Sequence, residues 1–306
     1  MRIAVTGKTG QVVTALIERG PAAAVEVVAL GRPEFDLAEP GDVAALFARV
    51  KPDAIVSAAA YTAVDKAETE PDLAFAVNGA GAGAVADAAA ALGIPLIHIS
   101  TDYVFDGAKP SAWTEDDPVA PLGVYGASKL AGERAVLASG ARAVVLRVAW
   151  VYAPFGANFA KTMLRLAETR DSLGVVADQI GAPTSALDIA DGILAVAKRL
   201  AVSGPDPSLE GVFHMGAGGP DASWADFAEA IFEGAAARGG NKPAVNRIAT
   251  ADYPTPARRP ARSRLDSSKL ASTYGVALPD WRQSLEIILD RLMSPAGGPV
   301  MEGRQE

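Results

Sequence analysis

A strand, a glycine turn and a helix are encoded together near the start of the chain, in Arg2-Ile3-Ala4-Val5-Thr6-Gly7-Lys8-Thr9-Gly10-Gln11-Val12-Val13. The apolar run that ends at Gly7 is typical of a parallel strand buried on both faces. A glycine turn at this point lets the backbone approach a pyrophosphate, which then lies at the helix N-terminus. Tight turns also use glycine for purely steric reasons, and Val13 stands where a third small residue is usual. The dinucleotide interpretation assigns cofactor contacts to Gly7, Lys8, Thr9, Gly10, Gln11 and Val12.

Short apolar runs alternate with helical patterns through the first half of the chain. Strands are predicted over 2–6, 25–30, 54–59, 95–100 and 143–148, and helices over 11–19, 43–50, 78–92 and 125–138. Strands joined by helices of this length form right-handed β-α-β units. We therefore expect an α/β fold, a Rossmann-type doubly wound parallel sheet with a smaller α/β substrate-binding domain.

The second half is less regular, and it sets the expected domain division. Residues 1–150 are predicted to form an NAD(P)-binding Rossmann-type domain, joined by about 173–201 and 243–252. Residues 151–293 are predicted to form a discontinuous substrate-binding domain. The stretch 294–306 is rich in glycine, proline and charge, and we expect a flexible tail there.

Composition narrows the classes of function. The chain of 306 residues has no cysteine, two histidines and a net charge of -8, so we expect neither thiolate chemistry nor a metal site. An acidic protein repels phosphate backbones, which argues against nucleic acid as a partner. The first residues enter a glycine turn without an apolar signal core, and we noted no run of the roughly 20 apolar residues that span a bilayer. These observations predict a cytoplasmic protein without membrane attachment.

Cofactor choice depends on Gly31-Arg32, which follows the second predicted strand. NAD-preferring sites usually place an acid there to hold the ribose 2′-hydroxyl. A guanidinium pairs with a 2′-phosphate instead, so Arg32 favours NADPH, with NADH kept open because Glu34 and Asp36 are close. The alternative for Arg32 is a solvated loop residue. Asp36 and Leu37 are expected to flank the adenine ring.

Three alanines and a tyrosine, Ala58, Ala59, Ala60 and Tyr61, follow the third predicted strand. Small side chains at the carboxyl end of such a strand leave space for a ligand. They would equally pack beneath a helix, so it is their position in the sheet that favours a cofactor wall.

A phenol and an ammonium share one helix face in Tyr125-Gly126-Ala127-Ser128-Lys129. A free tyrosine has a pKa near 10, and a neighbouring lysine cation is expected to lower that pKa toward neutrality. Lys129 would also hold the nicotinamide ribose. One strand earlier lies Ser100-Thr101-Asp102, where either hydroxyl could reach a substrate carbonyl, and Thr101 is preferred. Both hydroxyls could instead bond to a turn amide.

Several longer motifs resemble the dTDP-4-dehydrorhamnose reductases, a family of the extended short-chain dehydrogenase/reductase superfamily. The resemblance extends to about residue 290, although Arg262 stands where the family commonly has asparagine. The motifs are Ala58-Ala59-Ala60-Tyr61-Thr62-Ala63-Val64-Asp65-Lys66-Ala67-Glu68, Ser100-Thr101-Asp102-Tyr103-Val104-Phe105-Asp106-Gly107, Tyr125-Gly126-Ala127-Ser128-Lys129-Leu130-Ala131-Gly132-Glu133, Arg147-Val148-Ala149-Trp150-Val151-Tyr152 and Asp178-Gln179-Ile180-Gly181-Ala182-Pro183-Thr184.

This resemblance implies NADPH-dependent reduction of the 4-keto group of a dTDP-linked deoxysugar. By the same resemblance, Tyr125 protonates the forming alkoxide, Lys129 tunes Tyr125 and holds the ribose, and Thr101 polarises the ketone. The nucleotide-sugar substrate would meet Asp102, Tyr103 and Trp150. A homodimer is kept open as a partner prediction.

Two other functions remain on the same scaffold. A sugar-nucleotide epimerase or dehydratase would keep NAD⁺ bound, and a dehydratase typically needs an acid pair where this chain has Asp102-Tyr103. A non-catalytic regulatory homologue is the third hypothesis, and the intact Tyr125, Lys129 and Thr101 argue mildly against it. His98 and His214 lie in apolar runs and are interpreted as core residues.

Overall fold

Six parallel strands form the central sheet of the structure, a computed structural model that describes residues 1–294. Their order is β10-β5-β4-β3-β1-β2. Strand β1 lies between β2 and β3, so the crevice at the carboxyl ends of β1 and β3 is the topological switch point of the sheet, where such folds bind ligands. The twelve strands are β1 Arg2–Thr6, β2 Glu26–Leu30, β3 Ala54–Ser57, β4 Leu96–Thr101, β5 Ala143–Val148, β6 Val151–Tyr152, β7 Ser172–Val176, β8 Ile180–Gly181, β9 Thr184–Ser185, β10 Gly211–His214, β11 Ala222–Ser223 and β12 Ala244–Ile248.

Helices cover both faces of this sheet. Helices α1 and α8 pack together on one face, and α2, α5 and α6 form a layer on the other. The α-helices are α1 Gln11–Arg19, α2 Val43–Val50, α3 Val64–Ala67, α4 Pro71–Phe75, α5 Ala82–Leu92, α6 Val124–Ala138, α7 Phe159–Ala167, α8 Ala186–Val202, α9 Trp224–Ala236, α10 Ser268–Tyr274 and α11 Trp281–Met293; short 3₁₀ turns occupy Pro21–Ala23, Asp102–Val104, Pro207–Leu209 and Thr250–Asp252.

The two helical layers are anchored by alternate residues of the strands. In β1, Ile3 and Val5 belong to the core beneath α1 and α8, whereas Ala4 belongs to the core beneath α2 and α5. Successive side chains of a strand point to opposite faces, so a continuous apolar run supplies both cores at once. Each fully buried valine or isoleucine contributes roughly 1.5–3 kcal/mol. The predicted α/β class and the parallel doubly wound sheet are confirmed.

The helix predicted over 78–92 is longer and less regular than expected. It begins at Pro71, passes through a π-helical turn at Ala76–Gly81 and continues as α5. The run Pro71–Leu92 has the length and mean hydropathy, 1.3, that would allow a membrane span, and 50% of that window is buried in the protein. A helix packed in the core of a globular protein has the same combination of length, hydropathy and burial.

The edges of the sheet differ from expectation. Strand β10, which the sequence analysis missed, joins the central sheet beside β5. Strands β7 and β12, which lie in the stretches of about 173–201 and 243–252 expected to join the first domain, pair with each other in a two-stranded sheet. Ser172 and Gly174 are exposed, so β7 lacks the two buried faces that a central strand requires.

The remaining elements surround one end of the sheet. Strand β6 pairs with β9, and β8 pairs with β11. Helix α9 packs against α7 and α11. The division into two domains stays a prediction, and the predicted tail lies, apart from Ser294, outside the described residues.

Candidate active site

A cavity of about 1000 Å³ opens at the carboxyl ends of β1, β3 and β4, at the switch point of the sheet. The structure brings to this one space every residue that the sequence analysis assigned to cofactor binding, catalysis or substrate binding. Its walls include Gly7, Lys8, Thr9, Gly10, Gln11, Val12, Arg32, Asp36, Leu37, Ala58, Ala59, Ala60, Tyr61, Thr101, Asp102, Tyr103, Tyr125, Lys129 and Trp150. Their individual roles stay predictions.

The glycine turn after β1 is held close to the end of β3. Thr6 Oγ1 accepts hydrogen bonds from the backbone amides of Ala58 and Ala59, both at 3.0 Å. Gly7 has a φ of +99°, which favours glycine. Val13 fills the space beside it, since a Cβ on Gly7 would lie 3.3 Å from Val13 Cγ2. The departure at Val13 is therefore accommodated by packing.

The N-terminus of α1 faces the cavity without a side-chain cap. Gly10 is the N-cap residue, and no side chain accepts from the first amides of the helix. Unpaired amides at a helix N-terminus bind anions, because the helix dipole is positive there. The turn and the helix end therefore suit a pyrophosphate.

Basic side chains line the rim beyond this turn. Arg32 is largely exposed, with 82% of its side chain accessible, and its Nε lies 3.9 Å from Asp36 Oδ2. Lys8 Nζ contacts Glu34. Exposed pairs of this kind contribute little, about 0–1 kcal/mol, so both cations are free to exchange these partners for a phosphate.

Asn78, which the sequence analysis did not single out, links the cofactor wall to α6. Its amide donates to Tyr61 O at 3.0 Å and to Ser128 Oγ at 2.9 Å, and its Oδ1 accepts from Tyr61 N at 2.8 Å. The residue lies in the π-helical turn and is buried. A lone polar residue in an apolar helical run was the only signal for it in the sequence.

Lys129 is buried behind the cavity wall, with 3% of the residue exposed. Its Nζ donates to Ile99 O at 2.7 Å and lies 3.5 Å from His98 Nε2. Burial lowers the pKa of Lys129 to about 8, against the opposing charge of Glu133. Burial and the lysine charge also hold the pKa of His98 well below its usual range, so the imidazole is neutral.

Tyr125 does not show the pKa that its spacing from Lys129 predicted. Burial raises the pKa of Tyr125 to about 12, the Thr101 hydroxyl opposes that change by hydrogen bonding, and the charge of Asp102 adds to it. The expected lowering of the Tyr125 pKa by Lys129 is therefore wrong, because burial of the phenol raises the pKa and the lysine ammonium donates to Ile99 O instead.

The hydroxyls of Ser100 and Thr101 have different hydrogen-bond partners. Ser100 Oγ donates to Glu133, which also forms a buried two-pronged ion pair with Arg147 at 2.9 and 2.7 Å. Both residues line the cavity, but the Ser100 hydroxyl is donated to Glu133, whereas Thr101 Oγ1 bonds to Asp102 Oδ1. Arg147 in turn lies 3.5 Å from His214, whose Nδ1 lies 3.0 Å from Trp113 O, so this histidine is a core residue as predicted.

Asp102 and Tyr103 form the turn that follows β4. Asp102 is 2% exposed, and Oδ1 accepts from Thr101 Oγ1 at 3.0 Å. Burial raises the pKa of Asp102 to about 6, although the hydroxyls of Ser263 and Thr101 lower it. The Tyr103 ring meets the Tyr125 ring edge to face, with centroids 5.4 Å apart.

Trp150 closes the cavity on the side of α9. Its indole stacks on Trp224 with centroids 3.6 Å apart. Trp224 Nε1 donates to Gln179 Oε1 at 3.1 Å. Sequence reasoning missed Trp224 as part of this site, since only the tertiary fold brings the N-terminus of α9 to the end of β5.

The proline- and arginine-rich segment after β12 is tied down beside the cavity. Arg259 Nη2 donates to Asp65 Oδ2 at 2.9 Å, and Ala257 N donates to Asp65 Oδ1 at 3.2 Å. The segment 253–260 is therefore anchored on α3, which follows Ala58, Ala59 and Ala60 in the chain.

Comparison with known proteins gives a consistent set of relatives. Residues 1–294 match the family described as RmlD substrate binding domain. The chain is 52% identical over 284 residues to the dTDP-4-dehydrorhamnose reductase of Sinorhizobium fredii, covering 93% of this chain and 95% of that protein.

Solved structures agree with this. A dTDP-4-dehydrorhamnose reductase from Clostridium acetobutylicum has a TM-score of 0.87 and 37% identity, covering 95% of this chain and 99% of that one. The Bacillus anthracis reductase, solved in complex with NADP, has a TM-score of 0.86 and 34% identity, covering 94% and 98%.

Proposed function

The chain belongs to the dTDP-4-dehydrorhamnose reductase family, and from that premise we propose that it reduces the 4-keto group of dTDP-4-dehydro-L-rhamnose with NADPH, giving dTDP-L-rhamnose. It is an NADPH-dependent oxidoreductase. One observation supports this function best: a single cavity at the switch point joins an anion-binding helix end to Tyr125, Lys129 and Thr101. A dehydratase is disfavoured because Tyr103 and not a second acid follows Asp102, and an epimerase that keeps NAD⁺ bound is disfavoured because Arg32 favours an exchangeable NADPH.

The residues around the cavity fit a dinucleotide. The glycine turn and the uncapped N-terminus of α1 would hold the pyrophosphate, with Gly7, Lys8, Thr9, Gly10, Gln11 and Val12 in contact. Arg32 would pair with the 2′-phosphate, Asp36 and Leu37 would flank the adenine, and Ala58, Ala59, Ala60 and Tyr61 would form the opposite wall. NADPH, when bound, supplies the hydride that reduces the ketone carbon.

Tyr125 is the proposed acid. With a pKa raised to about 12, its phenol keeps its proton at neutral pH and is therefore a donor to the oxygen of the ketone. Donors placed beside an oxygen on which charge develops stabilise the transition state more than the ground state. Thr101 is the second group proposed to act on that oxygen.

Lys129 is proposed to compensate the phenolate that Tyr125 becomes when it gives up its proton. It lies one helical turn after Tyr125, and the ammonium is held by Ile99 O. A fixed cation in a buried site interacts more strongly with such a charge than it would in water. Lys129 would also hold the nicotinamide ribose.

The sugar end of the substrate is proposed to meet Asp102, Tyr103 and Trp150. These residues lie on the same cavity as Tyr125. NADH as a second cofactor, a homodimeric state, a cytoplasmic location and the absence of nucleic-acid and membrane partners stay predictions.

The function is tested with the purified protein and dTDP-4-dehydrorhamnose generated in situ from dTDP-4-dehydro-6-deoxyglucose by a 3,5-epimerase. NADPH and NADH oxidation are followed separately by absorbance, with Tyr125→Phe alongside. We expect dTDP-rhamnose as the product, faster turnover with NADPH, and loss of turnover in the variant. Binding of NADPH without oxidation of either cofactor would contradict the proposed substrate and favour another ketosugar or a regulatory role.

A further inference from the structure

The two oxygens of the Asp102 carboxyl have different surroundings. Oδ1 accepts from the Thr101 hydroxyl at 3.0 Å. Oδ2 is buried and has no hydrogen-bond partner of normal geometry within the described residues. Asp102 also lines the cavity, so this carboxyl lies beside the proposed reaction without being fully paired.

Burying an ionised carboxylate with an unpaired oxygen is costly, whereas a neutral carboxyl leaves only an unpaired carbonyl oxygen. Within residues 1–294, the Thr101 hydroxyl bonds to this carboxyl, the Ser263 hydroxyl and the Asp102 amide lie near enough to lower its pKa, and no cation pairs with it. Relative to water, burial therefore favours the neutral acid and raises the pKa of Asp102 to about 6.

The charged and titratable groups nearby do not reverse that preference. Tyr125 on α6 and Tyr103 in the same turn face Asp102, and burial keeps both phenols protonated at neutral pH. Arg259, in the C-terminal segment, faces Tyr103, but its charge is paired with Asp65 on α3.

The hydrogen-bonding capacity of Thr101 also favours a role for Asp102 as a neutral acid. A hydroxyl donates one hydrogen bond and accepts two. Thr101 Oγ1 already accepts from Tyr103 N at 3.2 Å. If Asp102 is ionised, the single hydroxyl proton of Thr101 is donated to Oδ1 and cannot serve the ketone. If Asp102 is neutral and donates through Oδ1, Thr101 accepts twice and its own proton is free for Tyr125 or the ketone.

We propose that Asp102 is a neutral acid that restores the proton of Tyr125 through the Thr101 hydroxyl. This role rests on the proposed reductase function. Tyr125 gives its proton to the alkoxide as hydride reaches the ketone carbon. Thr101 then passes its proton to the Tyr125 oxygen while Asp102 passes its proton to Thr101. Asp102 regains a proton from solvent, so the sum is ketone, NADPH and one proton giving alcohol and NADP⁺.

The test compares pH profiles of kcat for the wild type, Asp102→Asn and Asp116→Asn. Asp116→Asn is the control, because it removes an exposed acid of the same segment that does not line the cavity. We expect wild-type and Asp116→Asn kcat to fall as pH rises through about 6, because the neutral acid is lost. Asp102→Asn should lose this pH-dependent fall and lower kcat about a hundredfold, the lower range for acid–base catalysis.

Two further measurements separate a proton relay from a structural role. Infrared difference spectra of the wild type against Asp102→Asn should show the carbonyl stretch of a neutral carboxyl that disappears as pH rises through about 6. Thr101→Val, which keeps the side-chain shape but removes the hydroxyl, should lose the same limb of the pH profile, and Thr101→Ser should keep it. The threonine variants test the relay even if Asp102→Asn does not fold.

An Asp102→Asn profile that keeps the wild-type fall, or a carboxyl already ionised at pH 5, would overturn the role of Asp102 while leaving the reductase function intact. Absence of ketosugar turnover in the wild type would overturn the reductase function, and the role of Asp102 with it.

Discussion

Trp150 and Trp224 lie face to face, with ring centroids 3.6 Å apart and planes within 8° of parallel. Trp150 follows β5 with a φ of +50°, in the left-handed region that non-glycine residues seldom adopt. Trp224 begins α9, and its indole is fixed by Gln179. The stack therefore holds a strained residue of the cavity wall in place.

Replacing Trp224 with alanine should loosen Trp150 and weaken substrate binding. Stacked aromatic pairs are worth about 0.5–1.5 kcal/mol beyond their buried area, which corresponds to a roughly two- to tenfold rise in KM for the nucleotide sugar. Trp224→Phe, which keeps a ring for stacking, should have a smaller effect. Steady-state kinetics give KM, and fluorescence titration gives the NADPH Kd, which should not change. An equal weakening of NADPH binding would contradict a role confined to the sugar side.

Glu133 and Arg147 form an ion pair in which both side chains are almost fully buried. Glu133→Gln should destabilise the protein by about 3–5 kcal/mol, because it leaves the Arg147 charge buried and uncompensated. The double variant Glu133→Gln/Arg147→Met removes both charges and should recover much of that loss. Urea unfolding curves measure both changes. A double variant no more stable than the single one would show that the pair's charges are not what the core depends on.

The sequence was sufficient for the elements that carry strong local signals. Helices α1 and α2 and strands β1 and β5 have the predicted bounds, because each is a periodic or continuous apolar pattern with a glycine or proline at or near at least one end. Strand β10 was missed since it has only four residues, and its partner β5 is more than sixty positions away in the chain.

The candidate site also combines features that the local sequence predicts with features that depend on the tertiary fold. Tyr125 and Lys129 were found because their spacing is local, but the pKa of Tyr125 depends on how deeply the fold buries it. The contacts of Asn78 with Tyr61 and Ser128, and of Trp224 with Trp150, join distant parts of the chain. No periodicity within one segment encodes such contacts.

Arg32 gives a direct test of cofactor choice. Arg32→Ala should weaken NADPH binding about tenfold, toward the low end for a hydrogen bond to a charged group, because the side chain is exposed and screened. NADH binding should not change, and added salt should weaken NADPH binding more in the wild type than in the variant. Arg49→Ala removes an exposed arginine of α2 that is outside the cavity and serves as the control. Unchanged binding of both NADPH and NADH would identify Arg32 as a solvated loop residue, and an equal weakening of both would exclude a role specific to the 2′-phosphate.

Lys129 should set an alkaline limit to activity. Burial lowers the pKa of Lys129 to about 8. Below that pH the side chain carries the positive charge proposed to compensate the Tyr125 phenolate, and this charge is lost as the pH rises through about 8. In Asp102→Asn, which should lack the fall near pH 6, this second decrease of kcat should stand alone. Lys129→Arg keeps a positive charge throughout the accessible range, so its kcat should be lower but should not fall near pH 8. His98 and Glu133 are unchanged in Lys129→Arg. A fall of kcat near pH 8 that persists in this variant would therefore belong to a group other than Lys129. The lysine would then act through its hydrogen bonds and not through its charge.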